Sequence, residues 1–123
     1  LDLVSPVDWT DESQNMNDRV RSYLDVNCGH CHSPTGNANS TGLYLHLNET
    51  RDTHLGVYKK PVATGRGSGG LKYSIVPGKP DESILLHRMI SMDPGVMMPE
   101  SGRALTHEEA VEMVREWILL MEN

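Results

Sequence analysis

Five consecutive residues, Cys28-Gly29-His30-Cys31-His32, constrain this chain more than any other part of it. They hold both of its cysteines, so no disulfide elsewhere can staple the fold, and a bridge inside the motif would close a strained two-residue gap. On one helical turn, thiols three positions apart share a face, and an imidazole four positions after the first thiol joins them. The rest of the chain is thin in core material. Of 123 residues 37% are hydrophobic and 5% aromatic, with no Phe, while eleven Gly and seven Pro point to much loop. A single domain is expected at this length. A large apolar cofactor at its centre would supply buried surface that the side chains do not.

The C-x-x-C-H spacing is the haem c attachment signature. Cys28 and Cys31 can add to the two vinyl groups of the porphyrin as thioethers, and His32 then offers an imidazole nitrogen to the iron. Two rival readings use the same residues. Cys-Gly-His-Cys alone is also a disulfide-exchange sequence, in which the first thiolate is the nucleophile. That fold needs a strand before the motif and a helix after it, whereas here a helical pattern precedes and Ser33-Pro34-Thr35-Gly36 blocks continuation. The Trp usual before the first Cys is replaced by Asn27. Zinc would use Cys28, Cys31 and His32 with a fourth ligand from His46 or His54, but no paired second half exists.

Haem iron takes a sixth partner or keeps an open site. Val96-Met97-Met98-Pro99-Glu100 offers a thioether, a soft neutral ligand that raises the potential, on a loop stiffened by Pro99. Met98 is the expected ligand because it abuts Pro99, with Met97 as its competitor. His87 is the alternative that would give bis-His ligation, and Met89 and Met92 are read as helix packing. His30, His46, His54 and His107 are read as surface or capping residues. With Met98 and His32 on the iron the chain is an electron carrier rather than an enzyme. With an open distal side it would be a haem enzyme or sensor.

Net charge is −6, which argues against nucleic acid or an anionic membrane as a general partner. The charge is uneven. From His54 to Pro80 there is no Asp or Glu, yet Lys59, Lys60, Arg66, Lys72 and Lys79 lie there, leaving six basic and seventeen acidic residues elsewhere, a net of −11. Those cations are read as a solvated basic loop or as groups facing haem propionates or an acidic partner. No apolar run approaches the ~20 residues of a membrane span. The chain opens Leu1-Asp2-Leu3-Val4-Ser5-Pro6, without Met or a basic leader, and is expected to be a mature product or one module of a longer polypeptide.

Three helices are expected. The first runs from Met16 to Val26 with Asn15 or Asn17 as N-cap, burying Val20, Tyr23, Leu24 and Met16. The second begins near Pro80-Asp81-Glu82-Ser83 and ends near Met92, burying Leu85, Leu86, Met89 and Ile90. The third opens on a Thr106–Glu109 capping box and buries Ala110, Val111, Val114, Trp117, Ile118 and Met121. Between the first two lies an irregular region from Ser33 to Lys79, with apolar patches at 43–47 and 73–76 read as turns or brief strands. Its length suits a cofactor-wrapping role. Gly65-Arg66-Gly67-Ser68-Gly69-Gly70 lacks the Lys-Ser/Thr ending of a phosphate loop and reads as a turn.

Helix, Cys28–His32, long loops, Met-Pro and a terminal helix, in that order, resemble class I (mitochondrial-type) monohaem cytochromes c over roughly Met16 to Met121. The resemblance implies a mainly α fold of about three helices and long loops wrapping one covalent haem c. Residues 1–15 would then be a linker or N-terminal extension and 16–123 the cytochrome domain. It also implies axial ligation by His32 and Met98, a redox partner protein, and a periplasmic or secreted location in a bacterium. In that family the first and last helices meet through an aromatic contact, for which Tyr23 and Trp117 hold the matching places. Thr41-Gly42-Leu43 is similar to the family's Thr-Gly-Pro, whose Pro carbonyl takes the axial His N–H. Leu43 replaces that Pro, leaving open which carbonyl orients His32, with Pro34 too close in sequence. Arg66, Lys72 and Tyr73 are the candidates for the propionates. The segment 56–70 with the Met-Met-Pro-Glu ending is similar to cytochrome modules of larger secreted bacterial proteins, some with carbohydrate-binding modules, which implies a role in oxidative polysaccharide breakdown.

Overall fold

In the computed structural model, Asn15 opens the first helix. Its backbone is extended and its side-chain oxygen accepts the Asp18 N–H at 3.2 Å, satisfying one donor that a helix start leaves unpaired. The structure describes residues 4–29, 32–36, 38–62, 68–91 and 107–121. They are mainly helical: α1 Met16–Leu24, α2 Asp52–Leu55, α3 Ile84–Ile90 and α4 His107–Leu119. Pairing between extended segments is confined, among the described residues, to isolated bridges at Val57–Ile75 and Tyr73–Ser83. Among the described residues, no helix is long and apolar enough to cross a membrane. The chain forms two compact units, residues 1–55 and 56–123.

The first unit is built on α1. Val20, Tyr23 and Leu24 are buried as the apolar spacing predicts, while Met16 is half-exposed. The helix does not run on in α form to Val26. At Asp25–Gly29 it widens into a π turn. A π turn inserts one residue into the helical repeat and turns everything after it by about 100°. Val26 is thereby swung out to 72% exposure, and Cys28 is stepped off the line of the buried Arg21 and Leu24. The residues before α1 pack back on it: the Val7 N–H bonds Ser22 Oγ at 3.0 Å, Arg19 Nε bonds the Trp9 carbonyl at 2.9 Å, and the Trp9 ring meets Tyr23 edge-on. The one-turn helix α2 was not apparent in the sequence. It is too short to show a periodicity.

The second unit joins α3 to α4. Ile84, Leu85, Leu86 and Met89 on α3 are buried, as are Ala110, Met113, Val114, Trp117 and Ile118 on α4. Full burial of such side chains stabilises by about 1.5–3 kcal/mol each. The expected inward face of α3 is rotated by the way the helix starts. A 3-10 turn, Pro80–Glu82, precedes it, so Ile84 turns inward and Ile90 is left 49% exposed. On α4, Met113 is buried in addition to the expected set, and Val111 is only partly covered. His107 Nε2 donates to the Met89 carbonyl at 2.7 Å, tying the start of α4 to the end of α3. The helix α3 ends at Ile90, a little short of the expected Met92, where Ser91 turns extended and its N–H bonds the His87 carbonyl. Thr106 lies outside the described residues, and the capping box with it.

Candidate functional site

The π turn delivers Cys28 and Gly29, and one backbone hydrogen bond ties His32 back to it. The His32 N–H bonds the Cys28 carbonyl at 2.9 Å, the i to i−4 spacing that puts both side chains on one face. Cys28 and His32 are both half-buried. Cys31 lies outside the described residues, as does His30.

This turn rests on a second strap. The Leu45 N–H bonds the His32 carbonyl at 2.7 Å, and Leu45 is 1% exposed. Gly29 is buried flat against the same strap. A Cβ placed there would stand 3.0 Å from His46 Cα, 3.1 Å from His46 N and 3.1 Å from the Leu45 carbonyl oxygen. All three are backbone atoms of a strap fixed by hydrogen bonds at the Leu45 N–H, the His46 carbonyl and the Leu47 N–H, so they yield little. Gly29→Ala is therefore expected to destabilise the chain by about 1–3 kcal/mol, read as a lower denaturation midpoint with unchanged denaturant slope.

The strap is itself clamped by Arg21. This side chain is fully buried, and its Nη2 donates to the carbonyls of Glu49 at 2.7 Å and Leu47 at 3.1 Å, with His46 further off at 3.4 Å. Burial pushes the guanidinium down from its ordinary value, while the Glu49 and Asp25 carboxylates oppose that. Arg21 Nε and Nη1 and His46 Nδ1 are buried without a hydrogen-bond partner among the described residues. Asp25 accepts the Leu47 N–H at 2.8 Å from the other side. Sequence reasoning missed Arg21. Its only signal was a charge in line with Leu24 on the apolar face of α1, where burial needs a partner.

Beside the strap, Glu49 binds His54 Nδ1 at 3.0 Å and accepts the Thr50 and Arg51 N–H groups, each at 3.0 Å. Burial raises the Glu49 carboxyl, but the Arg51 N–H, the His54 imidazole and the Thr50 N–H together hold it below its ordinary 4.5. A carboxyl depressed in the fold contributes stability that is complete above the unfolded value and is lost as pH falls through the folded one. Glu49→Gln is expected to flatten that acid limb, measured by urea unfolding at a series of pH values below 5.

His32 also meets Thr41. Its Nδ1 stands 3.4 Å from Thr41 Oγ1, which lies 2.8 Å from the Ala38 carbonyl and accepts the Leu43 N–H at 3.2 Å. The Thr41–Leu43 segment singled out in the sequence is therefore beside the motif, and it meets the imidazole through a hydroxyl. His54 is engaged by Glu49, and no group of three or more His, Cys, Asp or Glu gathers to hold a metal ion among the described residues. The segment in front of Cys28 is a helix and a π turn, the reverse of the strand that a disulfide-exchange fold requires.

The remaining candidates divide. Met98, Met97 and Arg66 lie outside the described residues. His87 packs on the Gly69 backbone, where a Cβ would stand 2.5 Å from its Nε2. Lys79 pairs with Glu82 at 3.8 Å, and Tyr73 meets Tyr58 edge-on with centroids 5.5 Å apart. Tyr58 holds φ at +50°, a left-handed conformation that costs a bulky residue strain. Tyr23 and Trp117 are both buried. No family model, curated protein or solved structure matches the chain.

Proposed function

We propose that this chain is a monohaem c-type cytochrome domain of the class I kind, carrying single electrons to or from a redox partner protein. The observation that carries the reading is the turn closed between the Cys28 carbonyl and the His32 N–H, with the imidazole met by Thr41 on its Nδ1 side. That donor set fits haem c: thiols at 28 and 31 for the vinyl groups and the His32 ring for the iron, with the Met98 sulfur as the second axial ligand. Haem would supply the one-electron Fe(III)/Fe(II) couple. The chain's own task is to hold the ring covalently, orient the imidazole and keep water from the iron. With both axial positions taken, substrate turnover at the metal is not part of the function. Lys59, Lys60 and Lys72 make no ion pair among the described residues, and they favour a partner of opposite charge. Thioether attachment implies an exported, periplasmic or secreted location. The wider setting we propose is oxidative polysaccharide degradation by a larger multidomain protein.

The test is colour. Protein denatured in detergent and extracted with acidified organic solvent is expected to keep its pigment and to stain for haem at the mass of the chain. A colourless product with two titratable thiols would instead identify a disulfide-exchange protein. A high-spin ferric spectrum that changes at once with azide would identify an open-site enzyme or sensor. Met98→Ala is expected to abolish the weak long-wavelength Met–iron band, and Met97→Ala to leave it. The reverse result moves the ligand to Met97.

A further inference from the structure

We infer that the Thr41 hydroxyl is the acceptor that sets the tautomer and donor strength of His32, taking the place of a backbone carbonyl. The direction of each bond follows from the distances. Thr41 Oγ1 and the Ala38 carbonyl oxygen lie 2.8 Å apart, and a carbonyl has no proton to give. Two oxygens so close are held together only by a proton between them, so the Thr41 hydroxyl donates to Ala38. Its lone pairs face the Leu43 N–H at 3.2 Å and His32 Nδ1 at 3.4 Å. Toward the imidazole Thr41 is therefore an acceptor, and Nδ1 carries the proton. The lone pair then sits on Nε2, the nitrogen a metal would use.

The Thr41 hydroxyl is fixed by its neighbours before any metal arrives. Ala38 and Leu43 hold its proton and one of its lone pairs, and the Thr41 N–H also bonds the Ala38 carbonyl at 3.2 Å, closing a tight turn. The ring is thus oriented by a hydroxyl that cannot rotate away. A hydroxyl at 3.4 Å is a long, neutral acceptor, so it withdraws the Nδ1 proton less than a carboxylate would and leaves His32 a modest electron donor. A modest donor stabilises ferric iron less, which favours a high reduction potential and suits a thioether on the other face.

This inference rests on His32 as an axial ligand of haem, and the experiment separates the two. In the haem-loaded protein, Thr41→Val keeps the branched shape and removes the acceptor. It is expected to shift the midpoint potential positive and to speed solvent exchange of the His32 ring N–H by roughly five- to tenfold, the worth of one such bond. Thr41→Ser is expected to restore wild-type values. Should the valine variant fail to fold, the Thr41→Ser and Thr41→Ala pair differ by a single oxygen and carry the same comparison. Pigmented variants whose potential and N–H exchange match wild type would overturn the role of Thr41 and leave the haem reading standing. A wild-type chain without covalent pigment would overturn both.

Discussion

Changing Cys28 and Cys31 together to serine is expected to abolish covalent pigment completely, whereas either change alone leaves a chain that still carries colour through denaturing electrophoresis. The difference is chemical. A thiol adds to a vinyl group to form a stable thioether, and a hydroxyl does not. One remaining thiol gives one remaining bond, and one covalent bond is enough to survive detergent. His32→Met is expected to behave differently again, keeping the pigment and changing its spectrum, because the ring is anchored by sulfur and only ligated by nitrogen. The turn that makes this division of labour workable is short and local: the His32 N–H reaches the Cys28 carbonyl at 2.9 Å, so the imidazole is placed by the same backbone that carries the first thiol. Haem staining and a reduced-minus-oxidised spectrum of the four variants test the prediction. Pigment retained by the double serine variant, or lost on denaturing the His32→Met variant alone, would sink it.

How much of this was legible beforehand depended on the range of the interaction. The Asn15 cap, the buried faces of α1 and most of α4, and the helical approach to Cys28 follow from residues a few positions apart, and sequence spacing reads those directly. The π turn is not encoded in a periodicity, because it is one inserted residue, and it is what leaves Val26 exposed. The inward rotation of Ile84 against Ile90 depends on a 3-10 turn ahead of α3 whose hydrogen bonds no propensity reveals. At the site, Thr41 stood in a segment already singled out, but the expected partner of His32 was a carbonyl. A side-chain acceptor nine residues away depends on how a loop folds back. Arg21 was hidden for a deeper reason. Burying a guanidinium is unfavourable on its own, and only the three carbonyls it meets, 25 to 28 residues on, make the position tolerable.

Arg21→Met is expected to destabilise the chain by about 2–3 kcal/mol, and opposing terms of similar size decide it. Methionine keeps the length and most of the apolar packing of the arginine stem, so the lost quantity is the clamp rather than volume. Two good charge-assisted bonds, to the Glu49 and Leu47 carbonyls, are worth roughly 1.5–3 kcal/mol each. Against them stands the cost of a buried cation whose Nε and Nη1 have no hydrogen-bond partner among the described residues, a cost the methionine variant no longer carries. The bonds win, because the Glu49 and Asp25 carboxylates offset part of the burial cost and the freed carbonyls lie on partly buried backbone. Arg21→Lys is expected to recover part of the loss: an ammonium can donate to the same carbonyls without presenting the two idle nitrogens. Denaturant unfolding of the three proteins measures the difference. A methionine variant as stable as the parent would mean that the strap under Gly29 and His32 holds itself, and that Arg21 is tolerated there rather than required.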